Sequence, residues 1–209
     1  MATTLVSILV LAAILVVPSG AAHADGAWLD EPTPMKWTPA RAGVPAAPAP
    51  SAEPTPGAGP DPQCVQGQRS PETDEDRDVA RAGWILIGPY QSGWGVRVIL
   101  GTSSFDGMCR PWGYQHFVFS DGLFAGTISP MPMDSRADGS SNRATLEGRD
   151  RLSATFQRYT ATDALCCPSR LTAAVYDIDR SGGWPVLTFT SASTSATGAL
   201  DRPSQSPDI

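Results

Sequence analysis

The sequence predicts a mainly β fold: an antiparallel, curved sheet closed as a small barrel or folded as a sandwich, with one short N-terminal helix. Three observations carry this. Apolar residues alternate with period two through most of residues 84–190, Gly, Asp and Pro turn signals separate the runs, and no helical pattern lies between them. The composition agrees, since 20 Gly, 20 Pro and only 17% charged residues among 209 suit strands and turns. One folded domain with appendages is the expected organisation.

Residues 5–17 read LVSILVLAAILVV, an uncharged run too short to cross a bilayer core of about 30 Å. Ala22-His23-Ala24 follows as a small-x-small cleavage pattern, so residues 1–24 are expected to be a signal peptide and the mature chain to be secreted, with no membrane span after cleavage. The first cysteine is Cys64, which leaves no lipid acceptor beside that cleavage point. Ten prolines between residues 31 and 63 remove the N–H donors a helix or ladder needs. Residues 25–63 are therefore expected to be a disordered, extended Pro/Ala-rich linker, in which Trp28 and Trp37 have no assigned role. Residues 64–192 form the expected β domain, and residues 193–209, rich in Ser, Thr and Pro, a disordered tail.

The domain opens on Ser70-Pro71-Glu72-Thr73, where Ser70 is positioned to cap a helix running to about Ala82. Asp74, Asp76 and Asp78 imitate half a calcium loop, but Val79 and Ile85 stand where that loop needs Gly and Glu, so they read as helix charge. Strands are expected at 84–87 and 96–100. Residues 114–120 and 123–129 flank Asp121-Gly122, a pair suited to a type I′ turn that sets Phe119 opposite Phe124. After a Pro-rich loop at 130–139, strands resume at 143–146, 152–159, 171–178 and 184–190.

Four cysteines in an exported chain imply two structural disulfides among Cys64, Cys109, Cys166 and Cys167. Pairing the neighbours Cys166 and Cys167 requires a distorted ring, so Cys109 is expected to join one of them and Cys64 the other. The competing assignment makes Cys166-Cys167 a thiol or metal-handling site. No metal is expected, because His116 is the single histidine after residue 24 and no Cys-x-x-Cys occurs.

Residues 118–136 and 159–170, above all the Asp163-x-Leu165-Cys166-Cys167-Pro168-Ser169 run, resemble the LppP/LprE family of bacterial cell-envelope lipoproteins. The resemblance implies an extracytoplasmic protein of a family with no established reaction, and hence no catalytic residues to carry over. Without an acceptor cysteine near the start, this member is expected to be secreted or wall-associated.

Chemistry is sparsely marked. With Lys+Arg 15 against Asp+Glu 21 a nucleic-acid partner lacks an electrostatic basis. The sole lysine, Lys36, lies outside any phosphate loop. His116 has no marked nucleophile beside it and reads as a sheet-surface residue. Asp177 and Asp179 share a strand face, as glycoside chemistry needs and as solvated strands commonly show. Asp134, Ser135, Arg136, Asp163 and Arg170 read first as a lattice that orders their loops. The binding alternative uses Arg136 and Arg170 for a carboxylate, with Asp134 beside them and Trp112 or Tyr114 as a stacking plane for sugar. The expected function is a non-enzymatic envelope module, cofactor-free, that binds or organises a cell-wall component or envelope protein. A secreted hydrolase with a site under the 131–139 loop is the alternative.

Overall fold

The computed structural model describes residues 27–31, 34–49, 64, 67–164 and 166–197. The expected signal peptide, residues 50–63 of the expected linker and residues 198–209 of the expected tail lie outside these. Among the described residues there are one α-helix, one 3-10 turn and eight strands in two antiparallel sheets. Sheet 1 is the meander β1 (Ile85–Gly93), β2 (Val96–Phe105), β3 (Pro111–Ser120) and β4 (Leu123–Thr127). Sheet 2 is the meander β5 (Ala144–Leu146), β6 (Arg151–Arg158), β7 (Arg170–Asp179) and β8 (Val186–Ala196). They stack as a sandwich and do not close into a barrel.

The Asp121-Gly122 turn holds both residues at positive φ, 50° and 80°, as a type I′ turn requires. Phe119 then pairs with Phe124, their ring centroids 5.5 Å apart. Trp94-Gly95, also at positive φ, makes the same kind of turn between β1 and β2. The strand expected to end at Ile87 runs on to Gly93, because Pro89 falls in a bulge between Ile87 and Gln91 on the edge of the sheet, where its missing donor costs no ladder bond.

The helix α1 (Asp74–Arg81) is capped by Thr73, not Ser70. The Thr73 hydroxyl accepts from the Asp76 N–H at 3.2 Å while the buried Asp76 carboxylate accepts from the N–H groups of Thr73 and Glu72. Arg69 grips the same carboxylate through both guanidinium ends, at 2.6 and 2.7 Å. Asp76 is thus an internal brace and no part of a calcium loop.

Two corrections concern the ends of the domain. In place of a free spacer, residues 27–31 and 34–49 form a strap across the sandwich. Trp28 and Leu29, on the 3-10 turn Ala27–Asp30, are buried in the inter-sheet core, with Trp28 edge-on to Phe156, Phe189 and Trp37. Met35 exchanges both backbone hydrogen bonds with Phe189, Trp37 Nε1 donates to the Thr127 carbonyl, and Ala47 N–H donates to the Ala82 carbonyl. The strap therefore crosses from β8 over β4 to α1. Burial of large aromatic area outweighs the proline count, and a strap that crosses strand edges needs few N–H donors. At the other end Ser193–Ala196 belong to β8, not to a tail, because the first residues of the ten-residue β7 need ladder partners. Thr172 and Thr194 hydroxyls meet there at 2.8 Å.

Candidate functional site

The segments that carry the family resemblance meet at one end of the sandwich. The chain leaving β4 turns back along β3, where Met133 and Tyr114 exchange backbone hydrogen bonds, and then reaches sheet 2, where Ser140 and Gln157 do the same. Asp134 accepts from the Gly113 N–H at 2.9 Å, Asp138 accepts from the Asp134 N–H at 2.6 Å, and the Ser135 hydroxyl donates to the Pro111 carbonyl. The Arg136 guanidinium lies 4.6 Å from the centre of the Tyr159 ring, a cation–π contact between the two loops.

The β6–β7 loop is organised by Asp163. Its carboxylate accepts from the N–H and hydroxyl of Thr160 and from the N–H and hydroxyl of Ser169, so both feet of the loop converge on one residue. Those bonds, led by the Thr160 N–H, hold the Asp163 carboxyl well below the usual carboxylate range. Arg170 faces Asp30 of the strap at 3.7 Å, and Arg158 holds the same carboxylate at 2.6 and 2.9 Å.

Of the five residues expected to bind, Trp112 is half exposed, whereas Tyr114 is only 1% exposed and cannot offer a stacking plane. Its hydroxyl donates to the Gly139 carbonyl, and burial pushes its pKa far up. Asp134, Arg136 and Arg170 are engaged in the contacts above. His116 is not a sheet-surface residue either. It alternates with Phe117 and Phe119 but lies with Tyr114 on the inter-sheet face, 1% exposed, and burial lowers its pKa to about 4. Its Nε2 has no hydrogen-bond partner among the described residues. Asp177 pairs with Arg151, and Asp179 accepts from the N–H and hydroxyl of Ser181 and lies 3.7 Å from Lys36.

The disulfides pair differently from expectation: Cys64 with Cys109, and Cys166 with Cys167. The reason lies in the turns. Asp106 accepts from the N–H groups of Met108 and Arg110, folding the β2–β3 connection so that Cys109, at φ 58°, meets Cys64 with a Cα separation of 5.0 Å. Cys166 and Cys167 belong to the other sheet, in the loop that Asp163 ties, and find only each other. No cluster of three or more His, Cys, Asp or Glu suited to a metal occurs among the described residues.

A groove of about 200 Å³ lies between the strap and sheet 1. The strap supplies Trp37, Pro39 and Pro45, β3 and β4 supply Gln115, Phe124 and Thr127, and the following loop supplies Pro130 and Pro132. None of its lining residues titrates. The buried Gln115 amide donates to the Ser129 carbonyl at 2.9 Å. Sequence reasoning missed this groove because it set Trp37 aside with the prolines. The available signal was the pair of tryptophans with Leu29 and Met35 in a stretch where Pro and Ala are the commonest residues.

Among the described residues no helix is long and apolar enough to cross a membrane. No curated protein and no solved structure matches the chain. The matched family is one of lipoproteins, which implies association with the cell envelope, and its function is uncharacterised. The match begins in the last residues of β1 and ends in the turn after β7, leaving out the strap, α1 and β8: over residues 92–181 the chain matches the model of the LppP/LprE lipoprotein family.

Proposed function

We propose that the protein is a non-enzymatic envelope module that binds a cell-wall component or another envelope protein outside the cytoplasm. The observation that carries this reading is the groove under the strap. Its walls are Trp, Phe and Pro, with a Gln and two Thr as polar points and no acid, base or nucleophilic thiol. Such a lining can hold an apolar or ring-shaped face but supplies no group for proton transfer. Its volume, below the roughly 300–1,000 Å³ of enclosed small-molecule sites, suits a single ring or a short segment of a larger polymer. The polar groups of the resemblance loops support the same reading, since Asp163 is taken up within its own loop and Asp134 and Ser135 by the backbone of β3.

The experiment is retention of the full chain by purified bacterial wall fractions, compared with Gly43→Trp. Gly43 lines the groove, and a Cβ there meets nothing within 4 Å, so an indole can be added at the groove's edge without a clash at its base. Wall retention that drops at least tenfold in the variant is the expected result. Retention of the parent chain no better than that of an unrelated acidic protein, or equal retention of both chains, sinks the reading.

A further inference from the structure

A disulfide stabilises chiefly by shortening the unfolded chain, and the gain grows with the loop it closes. Cys64–Cys109 closes 45 residues and is, by that argument, the bracing bond. Cys166–Cys167 has a sequence separation of 1 and closes no loop, so it joins no element to another. Nor does its own loop depend on it. Asp163 ties Thr160 to Ser169, and Thr197, just past β8, holds the far side, its N–H on the Ser169 carbonyl and its hydroxyl on the Pro168 carbonyl. Both cysteines are exposed, whereas Cys64 is only 5% exposed. Exposed disulfides with no bracing role are the ones that exchange.

We propose that Cys166–Cys167 is a thiol–disulfide exchange site that accepts two electrons from an external thiol or from a dithiol on a partner protein. A thiolate attacks one of the two sulfurs, forming a mixed disulfide and releasing the other cysteine as a thiolate, which takes a proton. A second thiolate then attacks the incoming sulfur, leaves with it as the oxidised donor, and frees the remaining cysteine, which is protonated in turn. One disulfide is consumed and one formed, and two donor thiols become two thiols on this chain. The Asp163 ties persist throughout, so the reduced pair stays adjacent for the reverse reaction. This site is separate from the groove and stands or falls without it.

The test titrates the oxidised full chain with dithiothreitol under native conditions, quenches with iodoacetamide and locates the alkylated cysteines by peptide mass spectrometry. Cys166 and Cys167 should be labelled together at a reductant concentration at least tenfold below the one that opens Cys64–Cys109, with the thermal unfolding midpoint unchanged across the first step. The double variant C166S/C167S should keep the fold and lose only that first step. Opening of both disulfides at one concentration, opening of Cys64–Cys109 first, or labelling of Cys166 and Cys167 before any reductant is added overturns the proposal.

Discussion

Sheets 1 and 2 are both four-stranded antiparallel meanders, yet they are buried differently. In β6 buried positions alternate with exposed ones, so Leu152, Ala154 and Phe156 face the core while Arg151, Thr155 and Gln157 face solvent. In β3 every residue from Gly113 to Ser120 is buried. Tyr114, His116 and Val118 face sheet 2, and Phe117 and Phe119 enter a second cluster with Val79 of α1, Trp84, Leu86, Ile99 and Phe124. Val44 and Ala47 of the strap close that cluster from outside. One sheet is half wet, while the other is dry on both faces along β3. The elements that dry it, the strap and α1, lie outside the family match.

The same substitution on the outward face of each sheet tests this most severely. Gln115 is 2% exposed, its amide turned to the Ser129 carbonyl, so Gln115→Lys places an uncompensated charge under the strap. A loss on the order of 3–5 kcal/mol is expected. Thr155→Lys, on the exposed face of β6, should change stability by no more than about 0.5 kcal/mol. Urea midpoints of the two variants measure both. Equal small effects would mean that the strap is no true cover for sheet 1.

This difference also decided what the sequence reveals. Period-two alternation is a signal of one-sided burial, and it locates β6 and β7 to within a residue or two. The Asp121-Gly122 turn is equally legible, because the positive φ angles it needs favour those residue types. The two-sided burial in sheet 1 is only half legible, because α1 is marked by its capping residues but the rest of the cover comes from residues 34–49, whose prolines signal an open chain. Local rules likewise misplace the disulfides and Tyr114. The pairing depends on where the Asp106 turn delivers Cys109, and the burial of Tyr114 on the return of Gly139 from 25 residues away. His116 alternates correctly with Phe117 and Phe119, but alternation alone does not say whether its face meets water or a second sheet.

Between the sheets, His116 gives the core a pH dependence of known sign. Burial lowers its pKa to about 4 in the folded chain, while the unfolded chain keeps the ordinary value near 6.5. Between those values the unfolded state binds the proton and the folded state does not, so stability falls as pH drops from about 6.5 to about 4. The full window is on the order of 3 kcal/mol. In His116→Leu the denaturation midpoint should be nearly flat across that range, with the remaining acid loss confined to carboxylates below about pH 4. A variant as sensitive as the parent between pH 6.5 and 4.5 would place the titration elsewhere.

A smaller effect separates the strap's hold on sheet 2 from its cover over sheet 1. Asp30 takes both ends of the Arg158 guanidinium, and that hydrogen bonding holds its carboxyl below the usual range against the opposing effect of burial. Arg158 itself is 9% exposed, but Asp30 is half exposed, so solvent screens the pair. Asp30→Asn should cost about 1 kcal/mol at neutral pH. A lowered carboxyl pKa contributes stability above the unfolded value of 3.8 that is lost as pH falls below it, so parent and variant should converge below about pH 4. If the strap acts as one body, amide exchange at Met35 and at Ala47 should quicken together in this variant. If only Met35 responds, Asp30 secures the strap to sheet 2 alone, and the apolar cluster around Trp84 keeps sheet 1 dry by itself.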